Sequence, residues 1–470
     1  MQVFLVLDLA IVLMITLPQL WFYIVYAVFA WRAANCRQHT TSCNPGEVSI
    51  SFIIPVRREP LEYLEQAVEY VHGLGIRDYE IIIVSDDDEG FKQVFFDKLY
   101  EWRRRGLNVW IIWRSRPVGY RTGALNTALW LSRGDYIYVL DVDSRLDKCL
   151  LDCAMEILSS HEDTVAVVGR WEPLNLDTRL SEALGYSMRF IVGAIYHGRN
   201  CMGLNVFPLG TGTLFKSRYL KEILNGWDQE RIQDDMEIGS RIMYHGLKVR
   251  YLSDCAVYVE NPSTYKALRI QQSRWAYGAT DVLIARWRHI LGSRQGVLGK
   301  IEAILFLSQY VVPSIVFLGT VMLAVNAFIK PFDVLMRHAY LIIALAISQW
   351  FFGRYYYREV KRHIGSSWRT LVNMGRSAAV TTALSPYYLY STLKALLRIR
   401  VQYARTPKGM YQLSSSRIRI PWELILAVLY AVTGIIYLLN NAILSGLWLI
   451  ANSSAYSYVV YRWRKDVFFN

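Results

Sequence analysis

The sequence predicts an α/β domain with a mainly parallel sheet, set between membrane-spanning helices. Two observations predict it. Long apolar runs near both ends bracket a middle, residues 48–298, with the charge density of a soluble domain. Within that middle, short apolar strands alternate with helix patterns, and acidic clusters close two of the strands. Composition agrees. The chain has 470 residues, 53% apolar and 19% charged, against about 25% charged for an ordinary soluble protein. A mainly disordered chain is excluded. The length allows two or three domains at about 150 residues each.

Residues 1–35 form the first span. Val3 to Trp31 carries a single charge, Asp8, and can cross roughly 30 Å of hydrocarbon. It is too long for a signal peptide and lacks a basic leader. Arg32 and Arg37 follow it, which places the next domain in the cytoplasm by the positive-inside tendency. Residues 48–262 then give apolar strands at Ser49–Pro55, Tyr79–Val84, Asn108–Trp113, Asp135–Leu140 and Val165–Val168. Helix patterns at Leu61–His72, Phe91–Arg105, Thr122–Ser132 and Leu146–Ser159 lie between them. Residues 263–300 read as interfacial helices.

Residues 301–470 form a C-terminal membrane region. Its apolar runs are Ile301–Phe328, a shorter His338–Phe352 and Pro421–Ile450, whose central Asn440 and Asn441 suit a hairpin of two short spans. Residues 376–395 contain Pro386 and lie between basic stretches at 354–369 and 397–420. That segment therefore re-enters or lies in the interface; a plain span with an opposite tail is the alternative. The net charge of +13 is accounted for by loops on the domain's side, so no nucleic-acid partner is expected. The expected location is the cell membrane, multi-pass, with membrane lipids as partners. The six cysteines form no dense framework; Cys36 and Cys43 are the pair considered for a bridge.

The chemistry lies in the acidic and basic clusters. No glycine-rich dinucleotide fingerprint, phosphate-loop lysine motif, zinc spacing or serine elbow is present. Asp141 and Asp143 follow an apolar strand, and hard carboxylate oxygens there suit a divalent ion; an ordinary acidic turn is the plainer reading. Asp86, Asp87 and Asp88 crowd another strand end, as acceptors for a nucleoside or as a solvated turn. Residues 114–126 carry Arg114, Arg116 and Arg121, whose forks match a diphosphate. Asp234, Asp235 and Glu237 precede a helix pattern, as caps or as a base beside substrate. Arg274 and Trp275 follow Gln271, as phosphate ligand and sugar platform or as membrane anchors.

In this order the motifs resemble the processive, membrane-integrated family 2 glycosyltransferases: the cellulose, chitin and hyaluronan synthases. S-F-I-I-P-V-R-R-E-P resembles their first strand and nucleotide turn, S-D-D-D-E-G their Asp-Asp site, and R-T-G-A-L-N their K-A-G-A-L-N loop. Asp141-Val142-Asp143 is similar to the D-x-D, Leu209–Gly212 to the acceptor loop, Gln233-Asp234-Asp235 to T-E-D and Gln271–Trp275 to Q-x-x-R-W. Residues 403–410 resemble the gating loop. Arg57 and Arg58 stand where Tyr-Asn is usual, Arg121 where lysine is, and one N-terminal span where relatives often have two.

The resemblance implies a GT-A-type domain and an inverting transfer from a nucleotide-diphosphate sugar, UDP-linked by preference, onto a growing β-linked polysaccharide that crosses the membrane. It implies Mg²⁺ or Mn²⁺ on Asp141 and Asp143. The donor then lies on Asp86, Asp87, Arg121, Asp141, Arg274, Thr406 and Lys408. Asp235 is the implied base, beside Asp234 and Arg274. Thr211, Gly212, Gln271 and Trp275 form the implied acceptor site. The alternative is a non-processive enzyme that adds one sugar to a lipid acceptor; a membrane protein with a decayed domain is a third class.

Overall fold

The structure, a computed structural model, describes residues 2–36, 43, 48–401 and 419–469. Its sheet has eight strands: β1 Ile50–Val56, β2 Tyr79–Ser85, β3 Val109–Trp113, β4 Tyr136–Val139, β5 Ser144–Leu146, β6 Thr164–Pro173, β7 Thr213–Lys216 and β8 Lys248–Val259. Their order is β3-β2-β1-β4-β7-β6-β8-β5. β3, β2, β1 and β4 are parallel neighbours. β7 pairs antiparallel with both β4 and β6, and β5 antiparallel with β8. The sheet is thus mixed, parallel across its first four strands and of both directions in its far half. β7 arrives from a long excursion through residues 174–212, which carries the Arg179–Phe190 helix, and runs between β4 and β6 antiparallel to both.

Two apolar layers sandwich the sheet. Phe52, Ile54, Ile81, Ile83 and Tyr138 point to one face, against Leu64, Val68 and Val71 of the Leu61–Gly73 helix. Ile53, Ile82, Val84, Ile137 and Val139 point to the other, against Leu125, Ala128 and Leu129 of the Tyr120–Leu131 helix. Apolar residues on both faces explain why these strands read as continuous runs. Because the first four are parallel, their C-terminal ends share one edge, with Val56 opposite Ser85 and Ile53 opposite Val139.

Among the described residues, four helices are long and apolar enough to cross a membrane: the N-terminal one, Val311–Ile329, Trp422–Leu439 and Ile443–Arg462. The last two form the expected hairpin around Asn440 and Asn441. The ends agree on one polarity. Asp8 pairs with Arg337 at 3.1 Å, and Asp333 caps Leu444 and Ser445. The opposite ends meet the α/β domain, where Gly198 packs on the Phe29 backbone. The run expected to span from His338 is the Ala339–Ile364 helix, which lies outside those four. Ser367–Leu396 is one unbroken helix through Pro386, with no re-entrant turn. Tyr265 donates to the Ala383 carbonyl at 3.3 Å in the turn the proline disturbs. This helix runs beside the domain: Ser377 reaches the Ala183 carbonyl and Tyr388 reaches Gln272 at 3.2 Å.

The cysteines go beyond the sequence reading, which weighed one bridge and no framework. They pair as Cys36–Cys201, Cys43–Cys153 and Cys149–Cys255. Cys36 and Cys43 do not bridge, because the fold brings each beside a distant helix. Cys149 and Cys153 lie one turn apart on the Lys148–Ser160 helix, which serves two of the bridges.

Candidate active site

The site is built on the shared strand edge. After β4, the chain turns through Asp141-Val142-Asp143. Ser144 Oγ donates to the Asp141 carbonyl at 2.9 Å, and Thr211 Oγ1 lies 2.8 Å from Ser144 Oγ and 3.3 Å from the Asp141 nitrogen. These hydroxyls hold the turn. Asp143 is 8% exposed, and Asp141 is half-buried beside it. Two carboxylates on a braced turn are hard oxygen donors, and they fit a Mg²⁺ or Mn²⁺ ion. Cys36, His197 and Cys201 also have ligand atoms within 4.8 Å of one another, but two of them are halves of a disulfide. The carboxylate pair is therefore the metal candidate.

Asp234 and Asp235 open the Asp234–Tyr244 helix. Asp235 Oδ1 accepts from Gln233 Nε2 and from the Met236 nitrogen, both at 2.7 Å. Burial first, and then the neighbouring Asp234 charge, push the Asp235 carboxyl up to about 7; those two donors and Arg121 oppose the rise. A carboxyl with that value is matched to proton transfer near neutrality. A methyl carbon built on Gly210 would stand 3.8 Å from Asp235 Oδ2 and 3.9 Å from Arg121 Nη2. Gly210 thus leaves space between the base candidate and the arginine.

Arg121 joins these parts. Its Nη1 donates to Asp141 Oδ1 at 2.5 Å, Nε to Asp234 Oδ2 at 3.1 Å and Nη2 to the Gly210 carbonyl at 2.6 Å. The structure therefore brings Asp141, Asp143, Thr211, Arg121, Asp234 and Asp235 together. Thr211 is 2% exposed, and its hydroxyl lies within the Asp141 turn. Gly212 has φ of +87° and backs onto Val257.

Asp86 and Asp87 make their own cluster. Arg114 clasps Asp86 through both oxygens at 2.6 Å. The same guanidinium donates to the Val118 and Tyr120 carbonyls at 3.0 Å, which ties β2's end to the loop before Arg121. Asp87 accepts from Ser85 Oγ at 2.8 Å and from the Arg58 nitrogen. Gln271, Arg274 and Trp275 are half-buried on the Tyr265–Gly292 helix. Its Gly278 abuts Gln233, where an added Cβ would fall 2.7 Å from the glutamine Cβ. Arg274 lies one helical turn before Gly278 on the same helix. Thr406 and Lys408 lie outside the described residues.

Sequence reasoning missed Asn126, whose amide grips both polar groups of the Trp227 backbone at 2.7 Å and so fixes the chain leading to Asp234. It also missed Tyr196 and Tyr310, two phenols near Asp235; burial first, and then the Asp235 charge, pushes the Tyr196 hydroxyl up. The A-L-N triplet was a signal for the first; nothing local marks the tyrosines.

The family model for glycosyl transferase family group 2 matches residues 136–452. A probable glycosyltransferase of Sulfolobus acidocaldarius is 30% identical over 89% of this chain and 90% of its own length. Glucomannan 4-beta-mannosyltransferase 7 of Arabidopsis thaliana is 28% identical over 53% of this chain, which spans 45% of that protein. The mannosyltransferase PcManGT from Pyrobaculum calidifontis, solved with GDP-Man and Mn²⁺, aligns over 84% of this chain and 99% of its own with a TM-score of 0.56 at 17% identity, a likeness of fold. The chain belongs to glycosyl transferase family group 2, and it is a glycosyltransferase.

Proposed function

We propose that this enzyme transfers a hexosyl group, with inversion, from a nucleotide-diphosphate sugar to an acceptor hydroxyl at the cytoplasmic membrane surface. The observation that carries this reading is the placement of Asp235 beside the Gly210 gap, linked through Arg121 to Asp141. Asp141 and Asp143 would hold a divalent ion, which supplies charge neutralisation at the leaving diphosphate when bound. Asp235 takes the proton of the acceptor hydroxyl. That oxygen bonds to the anomeric carbon as the bond to the diphosphate breaks, and the nucleoside diphosphate leaves. Arg274, one turn from Gly278, would meet the departing phosphates. Trp275, next to it on the Tyr265–Gly292 helix, would line the acceptor side. The resemblance to synthases points to a UDP-sugar, and the names of the plant relatives point to mannose; both enter the donor screen.

The first reading of the product is a β-linked polymer that passes through the membrane region. A specific observation favours the second, one-sugar reading. Tyr430, Tyr437 and Tyr456 fill the helix-bundle interior, each at most 1% exposed. Product length decides between them. Detergent-purified enzyme receives UDP- and GDP-linked hexoses with Mn²⁺ or Mg²⁺, then a chelator. Transfer that stops on chelation and returns with the ion supports the site. Asp235→Asn should abolish transfer while donor binding persists; retained turnover removes Asp235 as the base.

A further inference from the structure

Arg121 is the second residue of the Tyr120–Leu131 helix, and its side chain is 16% exposed. Its mounting is rigid. Thr122 Oγ1 donates to the Gly119 carbonyl at 2.6 Å, and Gly123 approaches Val118 so closely that a Cβ there would fall 1.9 Å from the Val118 oxygen. The three acceptors of its guanidinium belong to three separate pieces of chain: the Asp141 turn after β4, the Gly210 loop before β7, and the first turn of the helix that bears Asp235. A planar guanidinium can hold three directions at once, whereas an ammonium is a point charge without that fork.

We infer that Arg121 is a positioning residue, a strap that sets the Asp141 turn, the Gly210 loop and the Asp235 helix in one register. This rests on the proposed transferase reading, with Asp235 as the base. The role differs from the one the resemblance implies, a direct ligand of the diphosphate. Among the described residues, Gln233 and the Met236 nitrogen bond to Asp235, the charges of Asp234 and Arg121 act on it, and the phenols of Tyr196 and Tyr310 lie near it. Among them Arg121 favours the ionised carboxylate and Asp234 disfavours it. Removing each therefore moves the acid limb of activity in opposite directions.

The test uses full-length enzyme with Arg121→Met, Arg121→Lys and Asp234→Asn. Nucleoside-diphosphate affinity is measured by calorimetry with Mn²⁺, and kcat and the pH profile of kcat/KM with the best donor. The strap predicts kcat lower by about 100-fold in both arginine variants, with affinity kept within about threefold. It predicts an acid limb moved up in Arg121→Met and down in Asp234→Asn. Tenfold or greater loss of affinity in Arg121→Met, with near-normal kcat at saturating donor, overturns the strap and makes Arg121 a diphosphate ligand. An unmoved acid limb in both charge variants also overturns it. If Arg121→Met fails to fold, Arg121→Lys carries the split between affinity and kcat. Wild-type enzyme that transfers from no donor sinks the transferase reading instead, so the two failures are distinct.

Discussion

Replacing Asn126 with alanine tests whether the site is held by backbone clasps between distant segments. Asn126 is 7% exposed. Its Nδ2 donates to the Trp227 carbonyl and its Oδ1 accepts from the Trp227 nitrogen, each at 2.7 Å. Gly226, at φ +72°, leaves room for the amide; a Cβ there would fall 2.4 Å from Oδ1. Alanine strands one buried N–H and one buried C=O. Each costs about 1–3 kcal/mol without a partner, so the loss is about 2–6 kcal/mol. For a domain of this size each kcal/mol moves the melting temperature by about 2–4 °C. The unfolding midpoint, followed by tryptophan fluorescence in detergent, should therefore drop by at least about 4 °C and up to about 24 °C. Asn126→Asp keeps the acceptor and loses the donor, so its drop should be smaller. A midpoint for the alanine variant within about 1 °C of wild type would refute the clasp.

Two further predictions follow from the same geometry. The Asp235 carboxyl holds its proton to about pH 7 in the fold, against 3.8 as its ordinary value. Activity that needs the free base should fall as pH drops through about 7. Stability should fall as pH rises from about 4 to 7, because the unfolded chain ionises first. Asp235→Asn removes that penalty, so it should raise the melting midpoint at pH 8 and leave it unchanged at pH 4. Asp466 Oδ2 accepts from the Tyr265 nitrogen at 2.9 Å and the Lys266 nitrogen at 3.4 Å, capping the helix that carries Arg274. Asp466→Ala should cost about 1–2 kcal/mol of stability, read as a lower midpoint in thermal melts; an unchanged midpoint would leave that cap without energetic weight.

What the sequence disclosed, it disclosed through periodicity. Strands β1, β2, β3 and β4 are legible within a residue or so of their bounds, whereas β6 runs five residues past the expected Val168, where Arg170 and Glu172 break the apolar run. β5 has three residues, one of them Arg145, and β7 has four. Such strands exist because neighbours offer hydrogen bonds, and a four-residue pattern carries no period to detect. β8 is twelve residues long, but Ser253 and Asp254 interrupt it where its register with β6 shifts. The three arginines of residues 114–121 looked equivalent. Topology separates them: Arg114 goes to Asp86, Arg121 to Asp141 and Asp234, and Arg116 to solvent. Cysteine partners 106 to 165 residues apart are likewise a product of the fold, beyond any spacing rule.

The joint between membrane and domain bears on how the site is presented. Gly198 lies so close to the N-terminal helix that a Cβ there would meet the Phe29 oxygen at 2.1 Å. Arg199, 1% exposed, pairs with Glu302 of the Val297–Leu307 helix and covers the Phe306 ring at 4.5 Å. Cys201 is bonded to Cys36, just past the first span. Three successive contacts of different kinds thus pin residues 198–201. The preceding turn, Ile191–Tyr196, is a π-helix that ends on the buried Tyr196. A displacement of the first span would be passed to Tyr196 through a short, buried and covalently closed path. In the proposed reaction, an acceptor at the membrane surface would meet a base whose surroundings are fixed to the membrane helices themselves, a stiffer arrangement than a soluble domain on a linker can offer.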